Sequence, residues 1–266
     1  MNIPFIKAHG TGNDFLLVRG LETVPEADWP GLARAICGRH RGVGADGLII
    51  FTGPATIRLF NSDGSEAELS GNGTRCAAAV LIAEGRAGET LAIETGAGVK
   101  QLKLLEREGN RFRLEMGMGR PAYSPQDLNY RLETSMGNWP VTILDVGNPQ
   151  CAVLVDDLDF DWQALGREIE SHPRFPRRTN VSFVHVVGPH AIELRFYERG
   201  AGPTMSSGTG STGAAAAAIL SGRAKSPVRV ITEAGELELE WREEIVLRGP
   251  TEITARGEYY WRGGAA

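Results

Sequence analysis

The composition of this chain of 266 residues is that of an ordinary globular protein, with 42% hydrophobic and 23% charged residues, and its length predicts two domains. A formal net charge of −5, without any dense run of Lys or Arg, argues against nucleic acid as a partner and favours a small-molecule ligand. The N-terminal residues lack a signal-peptide pattern and no apolar span of about 18 residues occurs, so we expect a cytoplasmic protein without a membrane partner. Three cysteines and five scattered histidines indicate neither a disulfide framework nor a metal site.

The first half of the chain predicts strands around one early helix. Pro30 near the start of that helix and Gly38 after its end are typical helix boundaries, and Gly109-Asn110 predicts a hairpin turn. In chain order, the predicted elements are two strands within residues 3–18 joined by a polar turn at 9–14, a helix over 27–36, a glycine-rich loop over 39–47, strands at 48–51 and 56–61, a turn at 62–65 leading directly into a helix, and strands over 91–116.

The second half begins where glycine and proline become frequent, between residues 116 and 124. We therefore predict an N-terminal lobe of residues 1–117, joined by a C-terminal strand within 252–266, and a C-terminal lobe of residues 118–251. The predicted elements of this half are a strand over 141–146, a turn at 147–150, a helix over 160–170, strands starting near 180 and spanning 192–198, a glycine-rich helix, strands over 228–247, and a separate last strand over 259–262.

One stretch occurs twice in the chain, at a constant spacing of 137 positions. Residues 70–87 and residues 207–224 each begin with Ser-Gly, pass through a glycine-rich segment into an alanine-rich one, and end with Gly-Arg-Ala. The same spacing relates residues 58–61 to residues 195–198 without a gap. A strand, a turn, a helix and a strand are therefore duplicated, which predicts two lobes of similar fold.

Both repeated helices start with residues suited to capping and to anion binding. Ser70 and Ser207 are good N-cap residues, and capping alone is a sufficient structural reason for a serine there. The glycines that follow leave the first N–H groups accessible, so each helix start predicts a site for an anion such as a carboxylate. If the lobes face each other, two positive helix ends converge on one cleft.

Six motifs occur in a fixed order along the chain: HGTGNDF at 9–15, GVGADG at 42–47, FNSDGS at 60–65, GNGTRC at 71–76, GNP at 147–149 and ERGAG at 198–202. In this order they resemble the diaminopimelate epimerase family over essentially the whole chain. The resemblance implies an α+β fold of two pseudo-symmetric lobes, each a mixed β-sheet or barrel wrapped around a central helix, with the active site in the cleft. It also implies that an amino-acid α-carbon is inverted without a cofactor, in lysine and cell-wall precursor biosynthesis.

The chain departs from the family's pattern at the residues that perform the chemistry. In the family, two cysteines at the starts of the central helices exchange protons with opposite faces of the α-carbon, and the matching positions are Ser70 and Ser207. A histidine that assists the first cysteine matches Gln150, and Cys76 is no replacement because it matches a non-catalytic cysteine. Since a serine is a weak base, three alternatives are open: Glu198 or another carboxylate activates it, a different substrate has a more acidic proton, or the protein binds without turnover. The candidate catalytic residues are Ser70, Ser207 and Glu198.

The binding residues that the resemblance implies are retained. Arg199 can hold a carboxylate through two parallel hydrogen bonds. The side chains implied to hold the distal ammonium and carboxylate of a diamino diacid, or to line the same cleft, are those of Asn13, Asn61, Asn148, Asn180 and Arg199. The backbone N–H groups implied to hold the reacting carboxylate are those of Gly71, Asn72, Gly208 and Thr209.

Three functions remain open from the sequence. The first is epimerisation of LL- to meso-diaminopimelate, or a related reaction with altered chemistry. The second is an isomerase that uses carboxylates, as in the phenazine-biosynthesis branch of the same fold, and the third is a non-catalytic amino-acid-binding protein. The expected partner in each case is a small amino acid, and a homodimer is compatible with all three. Exchange of the α-proton in heavy water separates an enzyme from a binding protein.

Overall fold

The computed structural model describes residues 1–21 and 24–263 and divides the chain into two compact units. The first unit consists of Met1–Met116 and Pro250–Ala266, and the second is Gly117–Gly249. We call them the N-terminal lobe and the C-terminal lobe. The C-terminal strand predicted within 252–266 includes residues 264–266, which lie outside the described residues.

The N-terminal lobe combines strands with one amphipathic helix and one fully buried helix. A short 3-10 helix at Glu26–Asp28 precedes the first of them. The elements described here are β1 (Asn2–Gly10), β2 (Asn13–Val18), α1 (Trp29–Cys37), β3 (Gly47–Phe51), β4 (Ile57–Asn61), β5 (Glu66–Ala67), α2 (Gly71–Ala83), β6 (Thr90–Thr95), β7 (Gly98–Glu108) and β8 (Arg111–Gly119).

The C-terminal lobe repeats this combination of strands and helices. A short 3-10 helix at Pro125–Asp127 precedes its first strand. Its described elements are β9 (Tyr130–Thr134), β10 (Gly137–Asp145), β11 (Pro149–Val155), α3 (Trp162–Glu170), β12 (Asn180–Gly188), β13 (Ala191–Glu198), β14 (Gly202–Thr204), α4 (Gly208–Leu220), β15 (Val228–Thr232), β16 (Gly235–Trp241) and β17 (Ile245–Tyr260), the last of which continues into the N-terminal lobe.

Strand pairing follows the same order in both lobes. The first parallel pair is β2 with β3 in the N-terminal lobe and β11 with β12 in the C-terminal lobe, and α1 or α3 lies between the two strands in the chain. An antiparallel pair then precedes the central helix, β4 with β5 before α2 and β13 with β14 before α4. A hairpin follows each central helix, β6 with β7 and β15 with β16. The predicted α+β fold of two pseudo-symmetric lobes is confirmed.

The two central helices are buried on all sides, unlike α1 and α3. In α2 every residue from Gly71 to Ile82 is buried, and in α4 every residue from Gly208 to Ala218 is buried. Apart from Asn72 and Arg75, whose side chains are hydrogen-bonded to each other, both helices consist of small and apolar residues and leave no polar face for solvent. The glycines and alanines also allow the surrounding strands to approach closely.

Several strands differ from the sequence prediction. The short strands β5, β9 and β14 were not predicted, because segments of two to five residues carry little periodicity. The separate last strand at 259–262 was wrong: β17 is one strand of 16 residues that ends at Tyr260. Its second part is held by antiparallel pairing with β1, from His9–Glu252 to Asn2–Tyr260, and such distant pairing leaves no local pattern.

Gly42 in the glycine-rich loop after α1 supports a prediction about stability. A Cβ at this position would lie 2.3 Å from the carbonyl oxygen of Ala35 and 2.5 Å from that of Ile36, both backbone atoms. We expect Gly42→Ala to lower the free energy of unfolding by about 3 kcal/mol, measured by chemical denaturation. Gly88→Ala is the control, because a Cβ there meets nothing within 4 Å. Equal stabilities of the two variants would contradict this account.

Candidate active site

The first turn of α2 carries the predicted site residues of the N-terminal repeat. Ser70 is the N-cap residue, and its Oγ accepts a hydrogen bond of 3.0 Å from the N–H of Gly73, which confirms the predicted cap. The N–H groups of Gly71 and Asn72 precede the first intrahelical hydrogen bond, which runs from Thr74 to Ser70 at 2.8 Å. Together with the helix dipole, these N–H groups make a site suited to a carboxylate.

The first turn of α4 has the same arrangement. Ser207 is its N-cap residue, and its Oγ accepts a hydrogen bond of 3.1 Å from the N–H of Gly210, so this cap is confirmed as well. The N–H groups of Gly208 and Thr209 precede the first intrahelical hydrogen bond, from Ser211 to Ser207 at 2.9 Å. Each lobe therefore contains one helix start that is suited to an anion.

Ser207 differs from Ser70 in its contact with a carboxylate. The Ser207 hydroxyl donates a hydrogen bond of 2.7 Å to Oε1 of Glu198, and Thr204 Oγ1 donates one of 2.7 Å to Oε2. The residue at the position equivalent to Glu198 in the first repeat is Asn61. Among the described residues, the Ser70 hydroxyl is hydrogen-bonded only to a backbone N–H. A hydroxyl bonded to a carboxylate is the arrangement that activates serine, and it occurs in the second repeat.

A series of hydrogen bonds between polar side chains orients the side-chain amides of Asn13 and Asn72 in the N-terminal lobe. Nη2 of Arg75 donates to Oδ1 of Asn72 at 2.6 Å, Nδ2 of Asn72 donates to Oδ1 of Asn13 at 3.3 Å, and Nδ2 of Asn13 donates to Asp46 at 2.8 Å. A cation at one end and a carboxylate at the other thus fix both amide orientations. Arg75 is completely buried, and this burial lowers the pKa of its guanidinium to about 10.

Asn61 lies apart from this chain of amides. It is the last residue of β4, and its Nδ2 donates a hydrogen bond of 2.9 Å to Oγ of Ser65 in the following turn. Among the described residues, the Asn61 side chain forms no hydrogen bond with another predicted site residue. Its role in substrate binding stays a prediction.

The C-terminal lobe holds its amides in a shorter chain. Nδ2 of Asn148 donates to Oγ1 of Thr209 at 3.3 Å, so Asn148 contacts the first turn of α4 as Asn13 contacts that of α2. Nε2 of Gln150 donates to Oδ1 of Asn148 at 2.6 Å. Gln150 is buried, and its Oε1 has no hydrogen-bond partner among the described residues. Gln150 is therefore part of the network that orients Asn148.

Asn180 and Arg199, both predicted to bind the distal end of a substrate, are in contact with each other. Oδ1 of Asn180 accepts a hydrogen bond of 3.0 Å from the backbone N–H of Arg199, and its Nδ2 donates one of 3.0 Å to the carbonyl of Pro149. Nη1 of Arg199 reaches the carbonyl of Arg177 at 3.4 Å. The amide of Asn180 thus connects three segments of the lobe and fixes the backbone from which the Arg199 side chain extends.

Two residues at the site were missed by the sequence analysis. Arg75 did carry a signal, because it is the single charged residue within the apolar helix α2. Thr204, which contacts Glu198, carried none, because the contact depends on the antiparallel pairing of β13 with β14.

The cysteines are buried, as predicted, in the part of the chain that the structure describes. Burial raises the pKa of the Cys37 and Cys76 thiols to about 12, and it also raises that of Cys151. Within residues 1–21 and 24–263, no group of three or more His, Cys, Asp or Glu side chains could hold a metal ion. No helix in these ranges is long and apolar enough to cross a membrane.

The sequence model of the diaminopimelate epimerase family matches residues 5–123 and 142–254. The chain is 42% identical to the diaminopimelate epimerase of Pelotomaculum thermopropionicum, over 97% of this chain and 99% of that protein. It is 38% identical to the diaminopimelate epimerase of Moorella thermoacetica, over 96% of this chain and 98% of that protein.

Solved structures of low sequence identity share the fold. A hydroxyproline epimerase from Agrobacterium vitis superimposes with a TM-score of 0.77 at 16% identity, covering 97% of this chain and 92% of that one. A phenazine biosynthesis protein from Bacillus anthracis superimposes with a TM-score of 0.69 at 16% identity, covering 97% of this chain and 99% of that one. By its sequence matches over nearly the whole length, the chain belongs to the diaminopimelate epimerase family.

Proposed function

We propose that this protein is a diaminopimelate epimerase that interconverts the LL and meso isomers without a cofactor, in lysine and cell-wall precursor biosynthesis. The observation that carries the proposal is the hydrogen bond of 2.7 Å from the Ser207 hydroxyl to Glu198 at the start of α4. It supplies a basic group beside a helix start that is suited to the substrate's carboxylate. The proposal includes three expectations from the sequence: an N-terminal lobe of residues 1–117 joined by 252–266 with a C-terminal lobe of residues 118–251, a cytoplasmic location, and a small amino acid as the binding partner.

The proposed reaction begins with removal of the α-proton. N–H groups at the helix starts, those of Gly71, Asn72, Gly208 and Thr209, would hold the reacting carboxylate and stabilise the charge that develops when the proton leaves. Glu198 takes up this proton, directly or through the hydroxyl of Ser207. Ser70 would donate a proton to the opposite face, which completes the inversion; it then regains a proton from solvent, and Glu198 releases to solvent the proton that it took up.

Arg199→Ala tests the substrate assignment. We expect this variant to bind diaminopimelate more weakly by about 1.5–3 kcal/mol, because a charged hydrogen bond to the distal carboxylate is lost. Calorimetry with each stereoisomer measures the effect. Arg131→Ala is the matched control, since it removes the same charge from an exposed position on β9 of the same lobe. Absence of binding of every stereoisomer to the unmodified protein would remove the substrate assignment.

A carboxylate-dependent isomerase, of the kind found in the phenazine-biosynthesis branch, is the second candidate. It is favoured by the two cap positions, Ser70 and Ser207, where no thiol is available as a base, so that the carboxylate of Glu198 is the basic group beside a cap. Diaminopimelate, other α-amino diacids and unsaturated amino acids, incubated with the protein in heavy water, distinguish the candidates. Exchange and inversion of diaminopimelate support the epimerase, a shifted double bond in another substrate supports the second candidate, and binding without any exchange indicates a non-catalytic binding protein.

A further inference from the structure

Glu170 occupies a position where a carboxylate is not expected. It is the last residue of α3, and its side chain is only 3% exposed. The C-terminus of a helix carries partial negative charge, so a buried carboxylate there is unfavourable unless other groups compensate for it. The compensating groups show what the residue holds in place.

Both oxygens of Glu170 bind segments that follow α3 in the chain. Oε1 accepts a hydrogen bond of 3.1 Å from the backbone N–H of Gly200, in the turn after β13. Oε2 forms an ion pair of 2.8 Å with Nη2 of Arg178, in the segment before β12. Arg178 has a φ of 61°, in the left-handed region that a residue with a side chain rarely adopts. Glu170 therefore joins two loops, one of which is held in an unfavourable backbone conformation.

These two loops carry Asn180 and Arg199, the residues proposed to bind the distal end of the substrate. The consecutive N–H groups of Arg199 and Gly200 are donated to two different side chains, Oδ1 of Asn180 at 3.0 Å and Oε1 of Glu170 at 3.1 Å. The ion pair with Arg178 holds the chain two residues before Asn180. The backbone on either side of the Arg199 Cα is thus fixed by two acceptors, one of them a buried charge.

We propose that Glu170 is a positioning residue for substrate recognition, which fixes the direction of the Arg199 side chain through Gly200 and Arg178. A single guanidinium with a fixed direction selects amino acids that carry a second carboxylate at a set distance from the reacting end. The inference rests on the proposed function in so far as Arg199 binds that second carboxylate.

Glu170→Gln is the test variant, and Glu168→Gln is its matched control. Glu168 lies on the same helix, is half-buried, and accepts hydrogen bonds from Ser135 instead of contacting Arg178 or Gly200. We expect Glu170→Gln to raise the dissociation constant of diaminopimelate about tenfold in calorimetry, the size of effect of one weakened charged hydrogen bond. Glu168→Gln should leave it unchanged. If Glu170 only stabilised the fold, Glu170→Gln would weaken binding only in proportion to the fraction of unfolded protein. Denaturation curves of both variants measure this fraction.

A double-mutant cycle tests whether the effect passes through Arg199. If it does, Glu170→Gln should change the dissociation constant by less than about twofold in a protein that already carries Arg199→Ala. An unchanged tenfold loss in that background would overturn the proposal. Equal binding by Glu170→Gln and the unmodified protein would overturn it as well.

Hydrogen exchange of single backbone amides keeps the test independent of the proposed function. Glu170→Gln should accelerate exchange at Arg199 and Gly200 relative to Glu168→Gln, measured by NMR without substrate. If no stereoisomer of diaminopimelate binds to the unmodified protein, the substrate assignment fails, while faster exchange at these two amides still supports the positioning of Arg199. Unchanged exchange at both amides would overturn that positioning.

Discussion

The double variant Ser70→Cys and Ser207→Cys, preferably with Gln150→His added, is expected to raise the rate of diaminopimelate epimerisation by about 10²–10⁴-fold. This is the range that a positioned acid and base contribute to a reaction of this kind. Epimerisation is followed by optical rotation, with exchange of the α-proton in heavy water measured alongside. The unmodified protein, assayed at the same concentration, is the reference.

The expected gain comes from the acidity of the group at each helix start. A free thiol has a pKa near 8.5, whereas an alcohol lies closer to bulk water at about 15.7. Forming an alkoxide from serine therefore costs about 7 pKa units more than forming a thiolate from cysteine, or roughly 10 kcal/mol. A helix dipole offsets about 1–2 kcal/mol of this cost for either group. A thiol at a helix N-terminus ionises more easily still, so that one cysteine can act as base and the other as acid.

The structure should accept both thiols, because sulfur is only slightly larger than oxygen and each serine already serves as a cap. The native cysteines provide an internal control for the new ones. Burial holds the pKa of Cys37 and Cys76 at about 12 and leaves few thiolates near neutral pH. A thiol reagent should therefore label the new cysteine at position 70, where the serine is half-buried, in the folded protein, and the native ones only after unfolding.

Each single change should give little, because inversion needs a base on one face and an acid on the other at the same time. The gain is therefore strongly non-additive, and the double variant should exceed the product of the single effects. If the unmodified protein already epimerises diaminopimelate as fast as the double variant, the argument from the serines is wrong and another group carries the proton.

The parts of the site that local sequence determines could be predicted. Ser70 and Ser207 were predicted as helix caps because serine is a preferred N-cap residue and each precedes a glycine-rich, apolar segment, and both cap bonds are present. Similar turns at Asn13 and Asn148 were predicted from their Gly-Asn context, and each side chain reaches the first turn of its own central helix. The spacing of the internal repeat indicated which helix starts to compare.

The parts that depend on distant contacts could not be predicted. Glu198 was named as a candidate beside the serines, but its bond to one serine and not the other follows from the path of the chain between β13 and α4. Glu170 could not be predicted for the same reason. A carboxylate at the end of a helix is unfavourable, and the contacts with Gly200 and Arg178 that compensate for it come from distant loops. The continuous strand β17 was missed because its partner β1 lies at the other end of the chain.

Glu198→Gln is expected to lower the rate of α-proton exchange by about 10²–10⁴-fold while diaminopimelate still binds. The amide retains the size of the side chain and can accept the hydrogen bond from Ser207, but it cannot take up a proton. Exchange in heavy water is followed by NMR, and binding by calorimetry. Glu193→Gln is the matched control, because it makes the same change on the same strand, at a residue that pairs with Arg195.

The difference between the two repeats also predicts that proton exchange is stereospecific. The position equivalent to Glu198 in the first repeat is Asn61, whose amide cannot act as a base, and the Ser70 hydroxyl is bonded to a backbone N–H among the described residues. The unmodified protein should therefore exchange the α-proton of one configuration, with retention, faster than it inverts the centre. Glu198→Gln should slow this exchange by about 10²–10⁴-fold, and Glu193→Gln should leave it intact. Exchange that persists in Glu198→Gln, or that is equally fast for both configurations in the unmodified protein, would show that the base is a different group.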